Sequence, residues 1–124
     1  MTPREIVQID LQKTGVDIPL NRVMAGLNQM TERGAKLLQE GNTLFLLTMK
    51  NKDTAEFHLF NADNPNQLVQ NVEKFAKLVK QLGFKKMVTD FDNPKIAGLF
   101  NRYQGEFKTK VTQKDDKYIA EVTL

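Results

Sequence analysis

Apolar residues recur along this chain at two different periods. Between Asn64 and Gly83, the positions Leu68, Val72, Phe75, Ala76, Val79 and Leu82 return every three or four residues, the spacing of one helix face. Asn64-Pro65 starts that helix: the asparagine side chain can accept an unpaired amide hydrogen bond, and proline's fixed φ suits the first turn. Gly83 stops it, with Phe84 placed to pack back on the last turn. Asn93-Pro94 repeats the start signal before Ile96, Ala97, Leu99, Phe100 and Tyr103, which predicts a shorter helix ending by Gly105.

Two more helices are expected upstream. Thr2-Pro3-Arg4-Glu5 offers an N-cap, a first-turn proline and a first-turn carboxylate, and Ile6, Val7 and Ile9 follow toward a stop near Gly15. After a connection through Pro19, the residues Val23, Leu27, Met30, Gly34, Leu37 and Leu38 predict a helix from about Asn21 to Glu40, closed by Gly41.

The other period is two. Thr43 to Met49 is apolar at nearly every position, as in a central strand covered on both faces. Lys50 to Asp53 makes a turn, and from Thr54 to Phe60 Ala55, Phe57 and Leu59 alternate with Glu56, His58 and Phe60. Met87 to Phe91 reads as a strand. Phe107, Thr109 and Val111, a turn at Lys114 to Lys117, and Tyr118, Ala120, Val122 and Leu124 form a final hairpin with a paired last residue. The expected order is α-α-β-β-α-β-α-β-β. That is an α/β (α+β) class with a mixed, mostly antiparallel sheet and helices on both faces, built from a helical pair at 1–41 and a core module at 42–124.

Composition narrows the chemistry. A chain of 124 residues supports one domain with a core of its own. With no cysteine there are no disulfides, thiolate zinc sites or cysteine nucleophiles, and one histidine precludes a histidine-rich metal centre, so no metal site is expected. No apolar run approaches the roughly 20 residues of a membrane span, and the first 30 residues lack a signal pattern. The cytosol is the expected location. The net charge of +3 decides nothing, but Lys74, Lys77, Lys80, Lys85 and Lys86 cluster around a single acid, Glu73. No aromatic residues suited to stacking bases interleave with them, so a solvated helix face is the first reading and a nucleic-acid contact the second.

The segment Leu82-Gly83-Phe84 through Asn93, Ala97, Leu99, Phe100, Gly105 and Phe107 resembles the end of a GNAT-type N-acetyltransferase domain. In that family a helix ends in Gly-Phe, a strand follows, and an asparagine opens a short helix of the form N-x-x-A-x-x-[LF]-[YF]-x-x-x-G-F. The residues here fit at correct or nearly correct spacing, with Glu106 inserted before Phe107. The two N-terminal helices are similar to the pair that precedes the GNAT sheet, although the family's first strand is not visible.

The resemblance implies an acetyl-CoA site. Its pyrophosphate would sit on backbone amides of a loop like [RQ]-x-x-G-x-[GA] and on the following helix N-terminus. The matching stretch, Phe60-Asn61-Ala62-Asp63-Asn64-Pro65-Asn66-Gln67, has no glycine or arginine, puts Asp63 where an anion would go, and loses an amide at Pro65. If the cofactor binds, Phe60, Asn61, Asn64, Asn66, Gln67 and Asn93 would hold it. The family's acid tyrosine falls at Phe100, leaving Tyr103 one turn later, while Glu56 and His58 occupy the strand that carries GNAT bases. These departures point to a GNAT-like protein without catalysis or cofactor, acting through protein contacts in a larger assembly. In that degenerate form it resembles accessory and virion proteins of tailed bacteriophages, which would place it in a virion. The alternatives are an acetyl-CoA-dependent N-acetyltransferase with an unusual phosphate loop, and a weak nucleic-acid-binding module.

Overall fold

In the computed structural model, which describes residues Met1–Leu124, ten elements follow one another. They are α1 (Pro3–Thr14), α2 (Leu20–Glu32), β1 (Lys36–Glu40), β2 (Thr43–Met49), β3 (Thr54–Asn61), α3 (Pro65–Gln81), β4 (Lys86–Phe91), α4 (Pro94–Arg102), β5 (Lys108–Lys114) and β6 (Lys117–Thr123). The six strands make one sheet in the order β1-β2-β3-β4-β6-β5. Only the β3–β4 pairing is parallel.

Local chemistry explains most boundaries. Thr2 and Glu5 cap α1 reciprocally, the Thr2 hydroxyl accepting the Glu5 N–H at 3.2 Å and the Glu5 carboxylate accepting the Thr2 N–H at 3.0 Å. Asn64 accepts the Gln67 N–H at 2.8 Å to open α3, and Asn93 accepts the Lys95 N–H at 3.0 Å to open α4.

One expected element is different. The helix predicted to run to Glu40 stops at Glu32, and Lys36–Glu40 is an edge strand antiparallel to β2, with Lys36 opposite Leu47 and Glu40 opposite Thr43. The adjacent pair Leu37 and Leu38 mimicked a helical spacing. In the fold the two residues serve opposite faces of the sheet, Leu38 packing on one core and Leu37 on the other. Gly41, expected as a helix stop, instead turns β1 into β2 at φ +55°. The helical pair therefore ends before residue 36, and the strand that the sequence hid is present.

Each face of the sheet carries a core. Phe45 and Leu47 of β2, Ala55 and Phe57 of β3, Met87 of β4 and Ala120 and Val122 of β6 meet Phe75, Ala76 and Val79 of α3 and Phe100 of α4. On the opposite face Leu44 and Leu46 of β2 meet Ile6 and Val7 of α1 and Leu27 of α2. β2 is thus covered on both sides, as its continuous apolar run requires. Phe75 is the centre of the larger core: its ring stacks on Phe45 at 4.1 Å between centroids and meets Phe57 at 5.4 Å. No helix is long and apolar enough to cross a membrane.

Removing that ring leaves a void between α3 and the sheet. Phe75→Ala should destabilise the domain by about 3–5 kcal/mol, read as a lower urea midpoint with an unchanged slope.

Candidate functional site at the strand divergence

β3 and β4 share three register pairs, Thr54 with Lys86, Ala55 with Met87 and Glu56 with Val88. Beyond them the strands part, β3 continuing along β2 to Asn61 and β4 along β6 to Phe91. The divergence opens a wedge that has a different chemistry on each face of the sheet and at its far end.

On the α3/α4 face the wedge holds a small cavity of about 40 Å³, lined by 14 residues of which 12 are hydrophobic. Leu59, Met87 and Val122 form its floor, Leu68, Val72 and Ala76 one wall, and Ile96, Phe100 and Tyr103 the other. Tyr103, Glu73 and Thr109 also line it, but the surface it presents is apolar. Tyr103 donates a hydrogen bond to Glu73 Oε2 and accepts the Phe107 N–H at 3.4 Å. Burial, then the neighbouring Glu73 carboxylate, pushes the Tyr103 phenol above its ordinary value. Gly105 lies against this pair: a Cβ there would collide with the Tyr103 hydroxyl and Glu73 Oε2. Phe100, where the family's tyrosine would stand, is buried and stacks on Phe91 at 5.9 Å.

At the far end, where β3 runs into α3, a network of side-chain amides and carboxylates fills the space. The Asp63 carboxylate accepts the Asn42 N–H at 2.8 Å, the Asn42 side-chain amide at 3.1 Å and the Asn71 amide at 2.8 Å. Asn71 is fully buried; it also donates to the Thr43 hydroxyl and accepts from Gln67. Asn61 joins in by accepting from Thr43 and the Asp63 N–H and donating to the Asp63 carbonyl. Gly41 closes the arrangement, since a Cβ there would lie 2.9 Å from the Asn71 amide atoms. Burial pushes the Asp63 carboxyl upward, but the hydrogen bonds from Asn42 and Asn71, with the charge of Lys13, hold it below the usual carboxylate range. Nearby, Asp10 accepts the Asn61 N–H at 3.0 Å, and its burial between α1 and β3 raises it.

On the α1/α2 face, Glu56 and His58 of β3 and Asp90 of β4 bring ligand-capable atoms within 4.8 Å of one another. His58 Nε2 is 3.5 Å from Glu56 Oε1, and the Lys117 ammonium is 3.4 Å from Asp90 Oδ2.

The residues singled out from the sequence thus separate into three places. Glu56 and His58 stand together on one face, while Tyr103 lines the cavity on the other. Asn61, Asn64 and Gln67 are engaged within the far-end network and helix cap, Phe60 packs on the α1/α2 core, Asn66 is exposed in the first turn of α3, and Asn93 caps α4. Among the clustered lysines, Lys77 pairs with Glu73 and Glu106 and Lys86 with Glu121, while Lys74, Lys80 and Lys85 are exposed. Sequence reasoning missed Glu73, Asn71 and Asp90, whose contacts come from other elements.

No protein-family model and no curated protein sequence matches the chain. Solved structures do. An acetyltransferase from Streptococcus agalactiae superposes with a TM-score of 0.64 at 18% identity, over 97% of this chain and 90% of that one. The Campylobacter jejuni N-acetyltransferase PseH, in complex with acetyl coenzyme A, gives 0.60 at 16% identity over 99% and 92%. A domain from Methanocaldococcus jannaschii gives 0.51 at 22% identity over 71% of this chain and 63% of that one. The fold is GNAT-like.

In this GNAT-like domain the wedge between β3 and β4 holds a small apolar cavity, and its far end carries the Asp63 carboxylate. Asp63→Ala should lower stability at neutral pH by about 1 kcal/mol, since the Asn42 N–H and the Asn71 amide lose their acceptor at a partly solvated site. Because the folded Asp63 titrates below the unfolded carboxyl, that contribution is complete above the unfolded value and is lost as pH falls through the folded one. Wild-type and variant urea curves should therefore converge on acidification. Asp10 has the opposite sign: its ionised form is penalised above its raised folded value, and the penalty fades as pH falls past the unfolded one. Asp10→Asn, whose side-chain oxygen can still accept from Asn61, should leave stability unchanged or higher at neutral pH in the same assay.

Proposed function

We propose that this GNAT-like domain is a non-catalytic binding protein that works through protein–protein contacts in a larger assembly. The observation that carries this reading is the Asp63 carboxylate, saturated by Asn42 and Asn71 at the entrance to α3. A pyrophosphate brought there would meet a fixed negative charge and amides that already have acceptors, with Pro65 contributing none. To admit it, the domain would have to break hydrogen bonds that hold the β1–β2 turn, the loop after β3 and α3 together. The bacteriophage source and virion setting belong to this proposal and rest on the sequence resemblance.

One observation favours a second reading, an acetyl-CoA-dependent N-acetyltransferase. The apolar cavity occupies the wedge of a fold shared with acetyltransferases, the Tyr103 side chain borders it, and Glu56 and His58 stand on β3 at the opposite face. Tyr103 would be the proton donor and Glu56 or His58 the base, with the phosphates held outside the Asp63 network.

Thermal unfolding with millimolar acetyl-CoA separates the two. A ligand at a hundred times its dissociation constant stabilises its protein by about 2.7 kcal/mol, roughly 10 °C for a domain of this size. The expected result is no shift in melting temperature and no acetylated amine by mass spectrometry; a shift of that size, or acetyl transfer lost in Glu56→Gln, would establish the second reading instead. Purified untagged from its native source, the protein should elute in a complex larger than one chain, and elution as a lone monomer would remove the assembly role.

A further inference from the structure

We propose that Glu56, His58 and Asp90 form a binding site for a divalent first-row transition-metal ion, with zinc the best-matched ion. The site lies on the α1/α2 face, away from both the cavity and Asp63; it needs neither functional reading, and an ion there would occupy the groups that the second one uses as base. It runs against the expectation of no metal drawn from a single histidine, because two carboxylates supply the remaining donors.

Backbone topology assembles the donors. Glu56 and His58 are two residues apart on β3 and so share a face, and Asp90 is two residues beyond Val88 on β4. Glu56 and Val88 are the last register pair of the parallel ladder, which places His58 and Asp90 one same-face step into the divergence. Each of the three offers one ligand atom, and all lie within 4.8 Å of one another. The separation of 3.5 Å between His58 Nε2 and Glu56 Oε1 matches the roughly 3.4 Å between two ligands of a tetrahedral zinc with bonds of about 2.1 Å. Asp90, within 4.8 Å of both, must close by at most about 1.4 Å, within reach of a side-chain rotation at a side chain 40% exposed.

Charge and donor type select the ion. The donor set is one imidazole nitrogen and two carboxylates, and a nitrogen among oxygens favours zinc over calcium or magnesium, which take oxygen ligands. The competing cation is Lys117, 3.4 Å from Asp90 Oδ2; its side chain is 67% exposed and can turn into solvent when an ion arrives. Three protein ligands leave a fourth position for water or an incoming group. Such an ion would tie β3 to β4 where their backbone hydrogen bonds stop.

The test is zinc chloride titrated calorimetrically into the full chain, freed of metal and chelator, at pH 7.5. Saturable binding of one equivalent in the micromolar range is expected. With it, the imidazole resonances should shift, and they can be assigned without ambiguity because the chain has one histidine. Loss of an outer-shell partner already costs metal sites about 10–100-fold, so His58→Ala and the isosteric Asp90→Asn should each weaken binding at least about tenfold. Lys117→Ala should bind as tightly as the wild type or more so. The proposal is overturned by no saturable binding at millimolar zinc, by affinity unchanged in His58→Ala and Asp90→Asn, by calcium or magnesium binding as tightly as zinc, or by loss of binding in Lys117→Ala.

Discussion

The parallel pairing of β3 and β4 ends after Glu56 and Val88, and the arrangement around it follows from that early end. Two strands that part inside a sheet leave backbone and side chains without lateral neighbours, and other elements must supply the contacts. Just past the pairing Phe75 wedges its ring against Phe45 and Phe57, anchoring α3 to the sheet. Past the pairing, α4 leans over β4, with Phe100 on Phe91 and the Thr109 hydroxyl donating to the Phe100 carbonyl at 3.0 Å. α3 and α4 are thereby held on either side of a gap that neither fills, and the apolar cavity is the space that remains.

The far end of the same wedge obeys a different constraint. A helix start presents unpaired amides, and something must accept from them. Asn64 does so locally, while Asp63 turns the other way and serves β2 and α3 through Asn42 and Asn71. Burying Asn71 at 0% exposure is tolerable because Thr43, Asp63 and Gln67 satisfy its amide in full. That satisfaction links β2, the loop after β3 and α3. The wedge is lined by apolar side chains in the middle and carries the Asp63 carboxylate at its end.

Much of this architecture was legible in the residues themselves. Asn64-Pro65, Asn93-Pro94, Gly15 and Gly83 act through local torsions and neighbouring amides, so the starts of α3 and α4 and the ends of α1 and α3 followed from short-range chemistry. The alternation in β3 and the two-faced run of β2 assigned Phe57 and His58 to opposite sides before any partner strand was known. Lys36–Glu40 was not legible, because Leu37 and Leu38 continue a helical spacing and an edge strand is defined by its pairing with β2.

The sequence by itself determined the order of the helices and of every strand but β1, and the lack of glycine and arginine between Phe60 and Gln67, since both depend on residue types at fixed chain spacings. Tertiary structure alone decided what stands at the site. Glu73 meets Tyr103 across thirty residues, Asn71 reaches Thr43 across twenty-eight, and Asp90 joins Glu56 and His58 from another strand. Contacts of that range are set by how α3 and β4 dock on the sheet, through packing that sums over many side chains and leaves no local mark in the chain.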